Sequence, residues 1–392
     1  MKDFSKIHVL FITKWYMNRN DPQLGVFIRK HATAVASHCR VSLLCVLGDS
    51  KQSNRFAQED TEEFGIRSTV IYFRKYTSRV PVLNSIVNLY RYLQGVRHGL
   101  KHILERSGPH HLTHAYILLR PALIAWWLRM TRGIPFVVSE QWSGYATGKF
   151  NQRSFLVRAL SRRVIRSADG VTAVSNFLAS KMKANGLNAA YLITPNVIEP
   201  VAASYVPIAQ NESVKILTVA DLVDEIKNIS DTIRVAGAIS AEGKQIELHI
   251  VGHGRDEQML KTLAGQLGLL DRVVFFHGVK SNEEVFQYLH ACDFLVMNSR
   301  FETFSLVCIE AMSCGKPVIA TRCGGPEEFM TPALGILIDP DREDQLMQAV
   351  NRMISEYSKF DAGVLKSTAL SRYSGEKAGE LFLGMYREVL GG

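Results

Sequence analysis

The sequence lacks the features that would commit it to a membrane span, a disulfide framework or a bound metal. Its longest uncharged apolar stretch, PALIAWWL between Arg120 and Arg129, falls far short of the roughly 18 residues a spanning helix needs. Six cysteines (Cys39, Cys45, Cys292, Cys308, Cys314 and Cys323) form no C-x-x-C pair and have no nearby histidine at metal spacing. They read as reduced core thiols of a cytoplasmic protein. MKDFSK runs straight into the strand-like IHVLFIT (Ile7 to Thr13), without the cleavage pattern of a signal peptide, so none is expected. Nucleic-acid recognition motifs are also absent, and no nucleic acid partner is expected.

What is present is length, apolar content and an uneven charge. A chain of 392 residues with 47% hydrophobic content can bury two cores of ordinary size. Residues 1–198 hold 28 Lys+Arg against 10 Asp+Glu, whereas 199–392 hold 18 against 27. The first half is therefore strongly cationic and the second anionic. Basic residues alternate with apolar or aromatic ones over Phe73 to His102 and again over Lys149 to Ser167, where Phe155, Leu156, Ala159 and Leu160 share one side of a helical pattern. Such a half suits contact with an anionic membrane surface, a peripheral position at the inner face of the cell membrane, or simply a solvated basic face.

Strand-like and helix-like segments alternate along both halves. In the first, IHVLFIT, RVSLLCV, LTHAYI, PFVVS and GVTAV separate helical patterns over Val26–His38, Leu89–Leu104, Pro121–Met130, Ser154–Arg166 and Asn176–Ala184. Asn196 to Ser213 interrupts the alternation with prolines and polar residues and reads as a linker. VKILTVA, IELHIVG, VVFFHG, DFLVMNS, PVIAT and GILID then carry the same pattern onward. An α/β fold of two Rossmann-like, doubly wound domains facing across a cleft is expected, with ligands outside the carboxyl ends of the strands.

The most informative segment is FETFSLVCIE (Phe301 to Glu310), followed by AMSCGKPVIA and by Gly324 to Glu328. It follows a buried strand and opens a helix that stops at Gly315. The first amides of such a helix lack intrahelical partners, so those of Phe304, Ser305 and Leu306 are candidates to hold a phosphate. Glu302 would repel a phosphate but accepts well from sugar hydroxyls, and Glu310, about two turns on, could do the same for a ribose. Lys227 follows the first strand of the second half, where a cation could neutralise a departing diphosphate. Gly252 and Gly254 in VGHG let backbone approach a ligand closely, although the third glycine of a dinucleotide fingerprint is missing. Asp339-Pro340-Asp341 spells D-x-D, but its place between strand and helix is explained by turn and cap roles.

Glu302, seven residues, Glu310, a small-residue helix end and a Gly-Gly turn resemble the signature of the family 4 glycosyltransferases of GT-B fold. The resemblance runs along the whole chain and is most specific from Val214 to Asp339. It implies a retaining, metal-independent hexosyltransferase without a cofactor, moving sugar from a UDP- or GDP-linked donor to a lipid-linked or saccharide acceptor in cell-surface polysaccharide synthesis. It also implies an acceptor-binding domain over 1–198 and a donor-binding domain over 199–373, with a last helix, about 374–392, packing back on the first. Lys227 would contact the diphosphate, Val279 in HGVK would line the base through its main chain, and Gly25 would lie near the reacting sugar. Gln141 stands where many relatives carry a histidine thought to touch the transferred sugar. Glutamine cannot take a proton, which leaves Glu140 or His114 as titratable candidates there. Asp221 replaces an arginine and Ser305 a frequent glycine. These departures keep two alternatives in view, a non-catalytic protein that binds a sugar nucleotide and a sugar-nucleotide 2-epimerase.

Overall fold

A computed structural model describes residues 4–202, 208 and 211–391; positions 203–207, 209 and 210 of the expected linker lie outside them. The chain divides into two compact units, one running to Val197 and resuming at Gly375, the other spanning Ile198–Ser374.

The first unit runs β1 (His8–Thr13), α1 (Val26–Ala36), β2 (Arg40–Asp49), β3 (Phe56–Glu63), β4 (Ile66–Arg74), α2 (Pro81–Ser107), β5 (Leu112–Tyr116), α3 (Pro121–Arg132), β6 (Phe136–Glu140), α4 (Phe155–Ser167), β7 (Gly170–Ala173), α5 (Asn176–Ala184) and β8 (Tyr191–Ile193). Its sheet has the order β3-β4-β2-β1-β5-β6-β7-β8, parallel except for the antiparallel pairing of β3 with β4. That hairpin was not expected from the sequence. FAQEDTEE shows no apolar alternation because it is a mostly exposed edge strand, and its turn is Phe64-Gly65, both at positive φ (54° and 76°), without the Asn-Gly signal that usually marks such a turn. Helix α2 also begins eight residues earlier than its periodicity suggests, at Pro81, where proline suits a first helical turn.

The second unit runs β9 (Val214–Val219), α6 (Asp224–Lys227), α7 (Ile229–Ala241), β10 (Ile246–Val251), α8 (Glu257–Gln266), β11 (Val274–Phe276), α9 (Asn282–Ala291), β12 (Phe294–Met297), α10 (Leu306–Ser313), β13 (Val318–Thr321), β14 (Gly335–Ile338), α11 (Glu343–Glu356) and α12 (Ala362–Tyr373). The sheet order is β11-β10-β9-β12-β13-β14, parallel throughout. In each unit the order reverses at the first strand, β1 or β9, the switch point at which ligands bind in doubly wound sheets. The alternating α/β reading of both halves is met.

Helix α13 (Gly375–Leu390) belongs to the first unit. With α1 it covers one face of that sheet, setting Ala378, Phe382, Met385 and Tyr386 against Val9, Phe11 and Leu43. Helices α2 and α3 cover the other face with Tyr92, Val96, Ile103, Ile124 and Leu128. Helix α4 turns outward the apolar side that the sequence places along it. Phe155, Leu156 and Leu160 are exposed, and the helix buries Ser161, Val164 and Ile165 instead.

Under α13 lies a buried polar chain. His114 shares hydrogen bonds with the Tyr386 hydroxyl (2.5 Å) and Ser139 Oγ (2.7 Å), which in turn meets Thr172 Oγ1 at 2.7 Å. His31 sits between the Tyr116 hydroxyl and the Pro195 carbonyl, each at 2.9 Å. Burial drives the pKa of His31 down to about 4, the Pro195 carbonyl opposing and Lys30 adding to the shift. Burial first, then His31, pushes His114 well below its ordinary value. His114 was expected as a titratable candidate near Gln141. It is a neutral core group instead, because its lone pair and proton are both spent inside the sheet layer.

Both histidines bind a proton when unfolded but not when folded, so stability must fall as pH drops below about 6.5 and keep falling towards the folded value. For His31, with a folded pKa of about 4, that window is worth roughly 3 kcal/mol at about 1.4 kcal/mol per unit. Urea titrations at about pH 7 and about pH 4.5 should show the loss, and His31→Gln should flatten it. An equal slope in the variant would remove His31 from the account.

Candidate active site

Two loops separated by 75 residues meet at the switch point of the second unit. Strands β9 and β12 are paired neighbours, with Phe294 opposite Ile216 and Leu295 opposite Leu217. The loops leaving their carboxyl ends therefore run side by side. The first ends in α6, whose last residue is Lys227, and the chain turns out of it through Asn228 in the left-handed region (φ 48°). The second carries Ser299 to Ser305. Lys227 Nζ donates to Glu302 Oε1 at 2.5 Å, and the Ser299 hydroxyl donates to the same oxygen at 3.1 Å. Burial opposes the charge on Lys227, but the Glu302 carboxylate, through its field and its hydrogen bond, with Asp221 adding, leaves the ammonium pKa raised. Lys227 stays cationic at neutral pH.

Arg300, a residue the sequence reading passed over, clamps these loops together. Its backbone amide donates to the Ile226 carbonyl at 2.7 Å. Its guanidinium donates to the Asp224 carbonyl at 2.7 Å, to Asn228 Oδ1 at 2.8 Å and to Asp341 at 2.5 Å. A rigid planar fork with five donors can serve three loops at once, which a lysine cannot. The available signal was its position, two residues before Glu302 and three after β12. Asp341 is thus engaged by Arg300, and Asp339 pairs with Gln345 and Arg322, so D-x-D serves local loop structure. Among the described residues no group of three or more His, Cys, Asp or Glu side chains could hold a metal ion.

Glu302 is pinned from its other side as well. Its amide donates to the Cys323 carbonyl, and its carbonyl accepts from Gly325. A Cβ on Gly325 would stand 2.4 Å from the Cα of Phe304, so this glycine is required for the loop after β13 to seat against the signature turn. The turn passes into α10 through Ser305 at φ 69°. Among the described residues the amides of Phe304, Ser305 and Leu306 meet no protein acceptor, and they mark the positive end of the helix. Glu310 lies in the middle of α10 and is buried, a position an acid rarely takes on a helix without a task.

The other expected residues of this unit ring the same strand ends. Gly252 and Gly254 close on the β9 loop, where a Cβ would stand 1.9 Å from the Ala220 carbonyl oxygen and 2.4 Å from that of Leu222. Val279, after β11, is 67% exposed.

In the first unit, Gly25 caps α1 at φ 73°, where a Cβ would collide with the Trp15 carbonyl. Glu140 ends β6, fully buried. Its carboxylate accepts from the Leu118, Gln141 and Trp142 amides and from the Tyr145 hydroxyl, each at 2.9 Å. Burial raises its pKa while those bonds pull the other way. With its four acceptor positions filled, Glu140 has the geometry of a loop anchor and not of a base that reaches substrate. Gln141, which it holds, is half-buried.

Residues 206–363 match the family described as glycosyl transferases group 1, and residues 24–196 match the glycosyl transferase 4-like domain. The chain is 26% identical over 166 residues to the alpha-D-kanosaminyltransferase of Streptomyces kanamyceticus and 31% identical over 125 residues to the lipopolysaccharide 1,6-galactosyltransferase of Salmonella typhimurium. Those alignments cover 42% and 31% of this chain, and 43% and 35% of the relatives' own length. An uncharacterised glycosyltransferase of Methanocaldococcus jannaschii is 24% identical across 75% of this chain and 77% of its own. Among solved structures, the sucrose-phosphate synthase of Thermosynechococcus elongatus superposes with TM-score 0.75 at 18% identity, covering 98% of this chain and all of that one. Anabaena HepE in complex with UDP-glucose gives 0.71 at 17%, with 97% and 99% covered. At these identities the superpositions establish the fold.

Ser305 occupies a backbone conformation that costs an L-residue roughly 1–2 kcal/mol, while glycine loses about 0.5–1 kcal/mol of chain entropy on folding. Ser305→Gly should therefore stabilise the second unit by up to about 1 kcal/mol in denaturant unfolding, and Ser305→Val should destabilise it by more than about 1 kcal/mol. A less stable glycine variant would show that the bond between the Ser305 hydroxyl and the Cys308 thiol (3.1 Å) outweighs the strain.

Proposed function

Because this chain belongs to the family 4-type glycosyltransferases of GT-B fold, we propose that it moves a hexosyl group from a nucleoside diphosphate sugar to a lipid-linked or saccharide acceptor in cell-surface polysaccharide synthesis. The observation that carries this reading is the Lys227–Glu302 pair beside three unpaired amides at a sheet switch point. An ammonium has three donors. Glu302 takes one, leaving two for the oxygens of a diphosphate.

In the proposed reaction the amides of Phe304, Ser305 and Leu306 hold the terminal phosphate, and Lys227 neutralises the charge that grows as the sugar–phosphate bond breaks. Glu302 accepts from sugar hydroxyls and Glu310 from the ribose. The main chain around Gly252, Gly254 and Val279 lines the nucleotide. The family resemblance assigns Gly25 and Gln141 of the first unit to the sugar, with Glu140 fixing the turn that carries Gln141. Departure and attack on one face of the sugar retain anomeric configuration, and the leaving diphosphate takes the acceptor proton, so no protein nucleophile and no metal are required. A UDP-linked hexose is the first donor to try, given the HepE complex with UDP-glucose and the similarity to the Salmonella galactosyltransferase. The excess of basic residues in 1–198 supports a peripheral position at the inner face of the cell membrane, where a lipid-linked acceptor would be met.

Thermal melting against UDP, GDP, ADP and their common sugars, without metal, should show an upward shift with one nucleotide class. Lys227→Ala should lower turnover at least about tenfold, equivalent to about 1.4 kcal/mol of barrier. Glu310→Ala should weaken nucleotide binding and leave less of the melting shift. Wild-type rate and binding in both variants would reject the site assignment; a shift with no nucleotide released in the presence of acceptors would indicate binding without transfer.

A further inference from the structure

Helix α2 carries more apolar surface than its place in the fold uses. One face, with Tyr92, Val96 and Ile103, is buried on the sheet. Gly95 and Gly99 let it sit so close that a Cβ on Gly99 would stand 2.4 Å from Leu44 Cδ1. An amphipathic surface helix needs only one such stripe. Yet α2 exposes a second, with Leu83, Ile86, Leu89, Leu93 and Leu104, and α3 beside it exposes Trp127 and Met130.

Between the two helices lies a groove of about 830 Å³, within the size range of ligand sites. Leu93, Leu100, Leu104, Leu123 and Trp127 line it, and Arg97, Lys101 and Arg132 also contribute to its walls. Arg97 and Arg132 have no acidic partner among the described residues; Lys101 lies 3.6 Å from Glu105 on the solvent side. Across α2, α3 and α4 there are ten Lys and Arg and one acid, Glu105. The exposed Phe155, Leu156 and Leu160 of α4, which contacts α3, extend the same combination.

We propose that this groove seats one chain of an anionic phospholipid, so that the α2–α3–α4 layer rests on an anionic bilayer leaflet. The proposal rests on the membrane part of the reading above and assigns it a site. Charge decides the class of lipid, because Arg97 and Arg132, without acidic partners among the described residues, favour a phosphate headgroup, and the apolar floor takes the chain. Two weak signals, an inserted apolar contact and a polybasic surface, together give stable attachment where either alone is marginal. Tryptophan and arginine beside leucine are also the residues that settle at the depth of lipid headgroups. Topology sets this lipid apart from the acceptor. The groove uses the second half of α2, which runs down to the amino end of β5, whereas Gly25 and Gln141 lie at the carboxyl ends of β1 and β6.

The test is co-sedimentation of the full chain with phosphatidylcholine vesicles, with and without phosphatidylglycerol. Wild type should bind the anionic vesicles, and phospholipid brominated in its acyl chains should quench its tryptophan fluorescence. Trp127→Phe should bind as well as wild type but lose most of that quenching. Leu93→Glu combined with Trp127→Glu, both at exposed positions, should bind at least about tenfold more weakly. Leu267→Glu combined with Val364→Glu makes the same charge change at exposed positions of the second unit and should cost less than about twofold. Equal losses in the two double variants, or unchanged quenching in Trp127→Phe, would overturn the groove while leaving a basic membrane-binding surface. Failure of wild type to bind would overturn both. Circular dichroism melting confirms that the variants fold, and a nucleotide-induced melting shift kept in all of them separates this site from the donor site.

Discussion

Parallel pairing of β9 with β12 is the constraint on which the candidate site depends. Two strands that far apart in the chain become neighbours only because the second sheet reverses its order at β9. Their following loops then have to share one crevice. The site's charge balance follows from that proximity: an ammonium from one loop and a carboxylate from the other form a half-buried pair. Neither charge is left alone in a poorly solvated place, which would cost several kcal/mol. Arg300 secures the arrangement by bonding to main-chain carbonyls and to Asn228 as well as to Asp341. Backbone acceptors do not titrate, so this clamp holds across any pH at which the loops are folded.

The carboxyl end of the first sheet uses a carboxylate differently. Glu140 is fully enclosed and saturated by three amides and a phenol. Such an acid gives shape to the turn bearing Gln141 and Trp142 and has no spare lone pair for chemistry. The polar chain through His114, Ser139 and Thr172 beneath α13 has a similar character. Each member has a partner, so burial costs little beyond pH sensitivity, and the directional bonds hold α13 in one register on the sheet. Polar residues at strand ends are often read as chemistry; here the count of filled donors and acceptors separates anchors from available groups.

Much was legible in the sequence. Alternating apolar strands and amphipathic helices have unlike periods, 2 and 3.6, and those periods survive in the chain whatever surrounds them. The α/β class, the repetition of the pattern in both halves and the strand–loop–helix context of Glu302 and Glu310 all follow from local pattern. Two elements were not legible in this way. Strand β3 is polar because it is an edge, and the first turns of α2, 81–88, are largely exposed, so neither shows the apolar spacing of a buried element.

The sequence by itself determined which segments form most of the strands and helices, and which half carries excess positive charge. These are properties of neighbouring residues and of composition. Only the tertiary structure decided that Lys227 pairs with Glu302, that Arg300 joins three loops, and that Glu140 and His114 are spent inside the first unit. Those outcomes depend on strand order and on the desolvation and hydrogen-bond partners that strand order imposes, and these are long-range quantities that no window of sequence contains.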